Sequence, residues 1–176
     1  MAFSDPAKNL TALGLKEGER VVDLGAGSGF YTLAAAKLVG GSGKVYAVEV
    51  QKDLLVRLKN DAHAHNLTNI DLVHGNMEEL GGTHIKENMI DAALVCNVLF
   101  QVEDKDGFVN EIKRILKHGS RVLIIDWKES FGGIGPHSEA VFSEAQAAAL
   151  FEKHSFKKVS SFDGGDHHYG LVYKRM

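Results

Sequence analysis

The stretch Val21-Val22-Asp23-Leu24-Gly25-Ala26-Gly27-Ser28-Gly29-Phe30-Tyr31 decides the fold. Two β-branched residues run into an aspartate, and three glycines then alternate with small residues. Residues 32–38, TLAAAKL, carry helix formers. A buried strand, a tight turn and a helix N-terminus follow one another without a spacer. Glycines at 25, 27 and 29 allow positive φ and let a ligand approach the main chain closely. The first amide N–H groups of the following helix have no partner inside it and are available to such a ligand.

The turn departs from the dinucleotide fingerprint. That fingerprint is G-x-G-x-x-G, with a pyrophosphate on the helix N-terminus. Here the spacing is G-x-G-x-G, and Phe30 takes the third glycine's place. Asp23 sets a carboxylate beside the turn, which repels a diphosphate and attracts a cationic amine. The seven residues Asp23 to Gly29 resemble motif I, D-x-G-x-G-x-G, of the class I S-adenosylmethionine-dependent methyltransferases.

Outward from this turn the chain alternates. Asp5-Pro6 opens a short helix as N-cap and first helical residue, and Gly14 ends it. After the first strand and helix, residues 44–50 read as a second strand of nearly continuous apolar character. Glu49 at its end lies 20 residues after Gly29, near the spacing at which an acid meets a ribose. A helix is predicted over 51–66, a third strand over 70–74 and a fourth over 89–97. Residues 104–117 form an amphipathic pattern, with Gly119 predicted at the helix C′ position. A fifth strand follows over 121–127. Ser143-Glu144-Ala145-Gln146 is a capping box. Two last strands, 156–162 and 167–174, flank the turn Asp163-Gly164-Gly165-Asp166.

Alternation of this kind predicts a parallel sheet with helices on both faces. The expected fold is α/β, a Rossmann-like three-layer sandwich. Its seven-stranded, mostly parallel sheet is closed by a C-terminal antiparallel hairpin strand. One domain over residues 1–176 is expected. In such sheets ligands lie outside the carboxyl ends of the strands.

The resemblance implies S-adenosyl-L-methionine as cofactor and S-adenosyl-L-homocysteine as product. It implies cofactor-binding roles for Asp23, Gly25, Ala26, Gly27, Gly29, Phe30 and Tyr31. Further along it implies Glu49 at the ribose with Val50 beside it in the cofactor site, Asn76 and Met77 at the adenine, and Cys96 and Asn97 near the methyl group. Leu99 and Phe100 are further lining candidates. No catalytic residue is fixed by motif; His137, His167, His168 and Asp126 are candidates, because imidazole and carboxylate can take a proton. His167 and His168 alternate across the last strand, so only one of them can face the site. The order of motifs is similar to that of small-molecule methyltransferases of the quinone-biosynthesis type, and no N-P-P-Y-type tetrad stands at 96–99. The implied function is methyl transfer to an oxygen, nitrogen or carbon nucleophile of a small molecule. Alternatives are a non-catalytic S-adenosylmethionine-binding module, a macromolecular methyl acceptor, and an NAD-dependent oxidoreductase.

Composition bounds the partners. The chain is 44% hydrophobic and 24% charged, with a net charge of −3, and its basic residues are scattered. Nothing there favours a nucleic-acid partner. A single cysteine excludes an internal disulfide and argues against a cysteine-rich metal site, and no metal is expected. The first residues lack a signal-peptide pattern and no run reaches membrane-spanning length, so a cytoplasmic monomer or homodimer without membrane contact is expected.

Overall fold

Strands buried on both faces need cover on both sides, and the chain supplies it with alternating helices. The computed structural model describes residues 4–176. The elements run α1 (Pro6–Leu13), β1 (Arg20–Leu24), α2 (Phe30–Val39), β2 (Lys44–Glu49), α3 (Lys52–Ala64), β3 (Ile70–His74) and β4 (Ile90–Cys96). They continue with α4 (Lys105–Ile115), β5 (Leu116–Trp127), α5 (Glu144–Lys153), β6 (Phe156–Gly165) and β7 (His168–Arg175). One seven-stranded sheet has the order β3-β2-β1-β4-β5-β7-β6. β7 runs antiparallel to both β5 and β6, and the pairs among β1 to β5 are parallel. The expected architecture is the observed one.

The three layers are legible in the burial of neighbours. Val22 joins the core cluster that holds Phe108, Ile112 and Phe151 of α4 and α5. Val21, one residue earlier, joins the cluster on the other face, with Leu10 of α1 and Ala35 of α2. Consecutive residues of a strand point to opposite faces, so a strand apolar at every position serves two cores at once.

Local chemistry sets the helix ends. Asp5 caps α1 by accepting the Lys8 N–H at 3.2 Å, Pro6 begins the helix, and Gly14 ends it with φ +65°. The capping box of α5 is formed by Ser143 and Gln146. The end of α4 differs from expectation. The helix stops at Ile115 and passes directly into β5. Gly119, with φ +80°, lies inside the strand and not at a helix C′ position. Ile90 pairs with Leu116 but Ala92 with Arg121, so β5 bulges between them. Ser120 Oγ donates to Ile90 O at 2.9 Å, and Lys117 pairs with Asp91 at 2.6 Å. Those contacts hold the bulge, and the glycine supplies its left-handed residue.

The chain turns from β1 outward in two directions, to β2 and β3 on one side and to β4 and β5 on the other. A crevice opens where the order reverses, at the carboxyl ends of β1 and β4. No helix among the described residues is long and apolar enough to cross a membrane.

Candidate active site

A cavity of about 750 Å³ lies in that crevice. Its floor is the turn after β1. Gly25, Gly27 and Gly29 have φ of +73°, +53° and +82°. The amides of Gly25 and Ala26 both donate to Val48 O, which bends the chain sharply back across β2. A Cβ on Gly25 would lie 2.7 Å from Val98 Cγ2 and 3.3 Å from Met77 Cε, so glycine is required there by space as well as by φ.

Two carboxylates flank the turn. Glu49 Oε2 accepts the Gly27 N–H at 3.0 Å, and Oε1 accepts the N–H groups of Val50 and Gln51 at 2.9 and 3.0 Å. Glu49 thus ties the glycine turn to the end of β2. Asp23, 2% exposed, accepts the Thr32 hydroxyl at 2.6 Å. Burial pushes its carboxyl up to about 6, and the charge of Glu49 adds to the rise while Thr32 offsets part of it. A cation arriving beside Asp23 would relieve both effects.

Asp23, Gly25, Ala26, Gly27, Phe30, Tyr31, Glu49, Val50, Asn76, Met77, Cys96 and Asn97 all line the cavity. Of the residues expected to hold a cofactor, Gly29 alone does not. Its missing side chain serves packing, because a Cβ there would meet Leu58 Cδ1 of α3 at 2.3 Å. Asn76 lines the wall with its amide already engaged: Oδ1 accepts the Glu78 N–H and Nδ2 donates to Glu79. Asn97 takes φ +57°, and its buried Oδ1 has no hydrogen-bond partner. Strain and an unsatisfied acceptor on one residue mark a functional wall more than a structural one. Burial in the company of Asp23 and Asp126 raises the Cys96 thiol well above its ordinary value, so it is no ready nucleophile.

The four proton-acceptor candidates separate. His168 lines the cavity, is fully buried, and its ring lies 4.3 Å from that of Trp127, its register partner on β5. His167 points away: its ring stacks on Phe131 at 3.8 Å and Nδ1 meets Glu129 at 2.9 Å. His137 is exposed and outside the lining. Asp126 is fully buried beneath the wall, where Oδ1 accepts the Trp127 N–H and Oδ2 the Leu99 N–H at 2.8 and 2.9 Å. Its carboxylate braces the turn after β4 and does not face the cavity. Leu99 belongs to the core, and neither it nor Phe100 lines the site.

Other lining residues were not among those expected to hold the cofactor. Val98, Gln101 and Val102 come from the short 3-10 turn Leu99–Gln101 and its flanks. Glu78 lines the cavity next to Asn76 and Met77 and accepts the N–H groups of Glu103 and Asp104 at 3.0 and 2.7 Å, joining that wall to the start of α4. Ser4 and Pro6 bring the leading helix to the rim, and Ile134 brings the glycine loop after β5. Asn9 holds this side together: its Nδ2 donates to Tyr31 Oη at 2.8 Å and to Gly164 O at 2.9 Å.

A family model described as a methyltransferase domain matches residues 15–168. The chain belongs to that methyltransferase family. It is 30% identical over 131 residues to the ubiquinone/menaquinone biosynthesis C-methyltransferase UbiE of Hahella chejuensis, covering 74% of this chain and 51% of that one. It is 31% identical over 121 residues to an arsenite methyltransferase of Aquipseudomonas alcaligenes, covering 66% and 35%. The chain therefore spans about half or less of the length of these curated relatives. A crystal structure of a SAM-dependent methyltransferase from Aquifex aeolicus superposes with a TM-score of 0.89 at 28% identity, covering 99% of this chain and 91% of that one.

Proposed function

We propose that this chain, acting as a single domain, is an S-adenosylmethionine-dependent methyltransferase with a small-molecule acceptor. The observation that carries the reading is the convergence of two carboxylates, Asp23 and Glu49, on a positive-φ glycine turn inside one cavity. A nucleotide with a cationic amino-acid tail matches that charge pattern, and a diphosphate does not. The volume also lies in the range of small-molecule sites.

The residues present fit the group. Gly25 and Gly27 give it a bare main chain, and Asp23 faces its cationic end. Glu49 has lone pairs left for ribose hydroxyls, since each oxygen can accept more than one hydrogen bond. Val50 and Met77 offer apolar surface to the purine. When bound, the cofactor supplies a methyl group made electrophilic by the sulfonium. The protein's task is then to align an acceptor lone pair and exclude water. His168 is the lining histidine placed to take a proton where the nucleophile carries one.

The relatives suggest two acceptor types. Arsenite chemistry favours soft thiolate ligands acting together, and this sequence has one cysteine. The carbon-methylating, quinone-type reading fits the wall of Trp127, Ile134 and Val98 better.

Calorimetric titration with S-adenosylmethionine, S-adenosylhomocysteine and NAD tests the ligand, and the first two should bind while NAD does not. Tritiated methyl transfer into a metabolite extract, a protein lysate and bulk RNA tests turnover, with label expected in the extract. Binding without label in any fraction would favour a non-catalytic binding module.

A further inference from the structure

The charged side chains of the described cavity lining are Asp23, Glu49 and Glu78, and no lysine or arginine is among them. Two lysines near the Trp127 and Val102 part of the lining are held elsewhere. Lys105, three residues after Val102, donates to Val102 O at 2.7 Å and sits over the Phe142 ring. Lys128, just after Trp127, pairs with Asp163 at 2.7 Å. Apart from the His168 imidazole beside Trp127, no lining side chain can carry a positive charge to compensate an anion, and the three carboxylates make the cavity negative.

A cationic acceptor meets a different obstacle. Its reacting atom must come within bond-forming distance of a positive sulfonium. The acceptor end has no free carboxylate to balance it, since Asp126 is buried with both oxygens on backbone N–H groups. Beside His168, away from those three carboxylates, the lining offers Trp127 and Ile134.

We infer, resting on the methyltransferase reading above, that the acceptor is an uncharged molecule and that the cavity rejects carboxylated, phosphorylated and sulfated compounds. Charge rejection of this kind is specificity by an unfavourable contact, and like charges placed together in a desolvated site are strongly disfavoured.

The sole tryptophan of the chain is in the cavity wall, so one indole signal reports on the acceptor end. Protein saturated with S-adenosylmethionine is titrated at low ionic strength with benzyl alcohol, benzoate and benzylamine, following the Trp127 indole N–H by NMR. Benzyl alcohol should bind at least roughly tenfold more tightly than benzoate, about 1.4 kcal/mol, and more tightly than benzylamine. In Gln101→Lys, a cation placed at the cavity wall should shrink or reverse the preference over benzoate. Equal or tighter benzoate binding to the native protein, or no shift with any of the three, would overturn the inference. Saturation by S-adenosylmethionine is verified first by calorimetry, so a cofactor that fails to bind is recognised as a failure of the methyltransferase reading instead.

Discussion

The carboxylate of Glu49 and the backbone amide of Gly27 meet at 3.0 Å, across the gap between the end of β2 and the turn after β1. With Val50 and Gln51 also donating to the other oxygen, one side chain sets the relation of two strand ends. Glu49 therefore holds the turn in shape before any ligand arrives, and preorganisation of this kind raises affinity by removing an ordering cost.

Glu49→Gln keeps one acceptor oxygen and loses the other. It should weaken S-adenosylmethionine binding by at least about tenfold, on the scale of a charge-assisted hydrogen bond. The amide of Gly27 should also exchange faster with solvent in the cofactor-free protein. Calorimetry and hydrogen exchange read the two effects, and native values for both would remove Glu49 from the site.

Asp23 ties affinity to pH. Its carboxyl, raised to about 6 by burial, holds a proton below that pH. A cationic ligand binds the ionised form, so affinity should fall as pH drops through 6, by up to about tenfold per pH unit. Asp23→Asn should bind weakly at every pH and show no such slope.

The same group bears on stability with a definite sign. An unfolded aspartate titrates near 3.9, below the folded value of about 6. Between those values the native state holds more protons than the unfolded one, so stability falls as pH rises through about 4 to 6. The loss is at most about 3 kcal/mol. Asp126, raised to about 6 by burial, adds a loss of the same sign. Asp23→Asn keeps an acceptor for Thr32 without a buried charge. It should melt several degrees higher than the native chain at pH 7.5 and show no gain at pH 4. A lower melting temperature at pH 7.5 would mean the buried carboxylate stabilises the fold, against this account.

Two glycines of one motif should fail differently. Gly29→Ala meets Leu58 of the core at a φ of +82°, and Gly29 itself does not line the cavity. It should cost about 1–3 kcal/mol of stability, the range of overpacking, and leave the affinity of the folded protein nearly native. Gly25→Ala meets Val98 and Met77 inside the cavity. It should abolish cofactor binding as well as lower stability. Denaturant titration and calorimetry on both variants check the split, and matched losses of affinity would place Gly29 in the binding site after all.

Much of this was readable in the sequence where one residue's chemistry acts locally. Asp5, Pro6 and Gly14 bound α1, and Ser143 and Gln146 start α5, because caps involve neighbours within a few positions. The parallel sheet with helices on both faces was legible because apolar runs alternated with helical ones; the order of its strands was not. The bulge at Gly119 was not, because a positive-φ glycine after a helix looks the same whether the chain stops or enters a strand. Register decided it, through Ile90 and Ser120. Alternation across β7 left one of His167 and His168 for the site, and only the pairing of His168 with Trp127 said which. Asp126 looked available because its strand end does face the crevice. Its oxygens are consumed by backbone amides that no spacing rule reveals. Glu78 was missed for a similar reason, since its role depends on the distant start of α4.

Glu111 is a buried acid outside the cavity, and its effect on stability has the opposite sign to that of Asp23. Although burial raises its carboxyl, hydrogen bonds from Arg114, Thr83 and the Gly81 amide together hold it down to about 2. Arg114 Nε and Nη2 reach it at 2.7 and 2.8 Å, Thr83 Oγ1 at 2.5 Å and the Gly81 N–H at 2.8 Å. The cluster fastens the segment before β4 to α4. A carboxyl lowered in the folded state stabilises fully above the unfolded value near 4.3 and loses that contribution as pH falls toward 2. Glu111→Gln removes the charge that Arg114 and the Gly81 amide require. It should cost about 3 kcal/mol at neutral pH, the scale of breaking a buried ion pair. The gap to the native chain should narrow as pH falls from 4.5 toward 2. Urea denaturation of both proteins across that range measures it, and a gap that stays constant with pH would show that packing, not charge, is what Glu111 contributes.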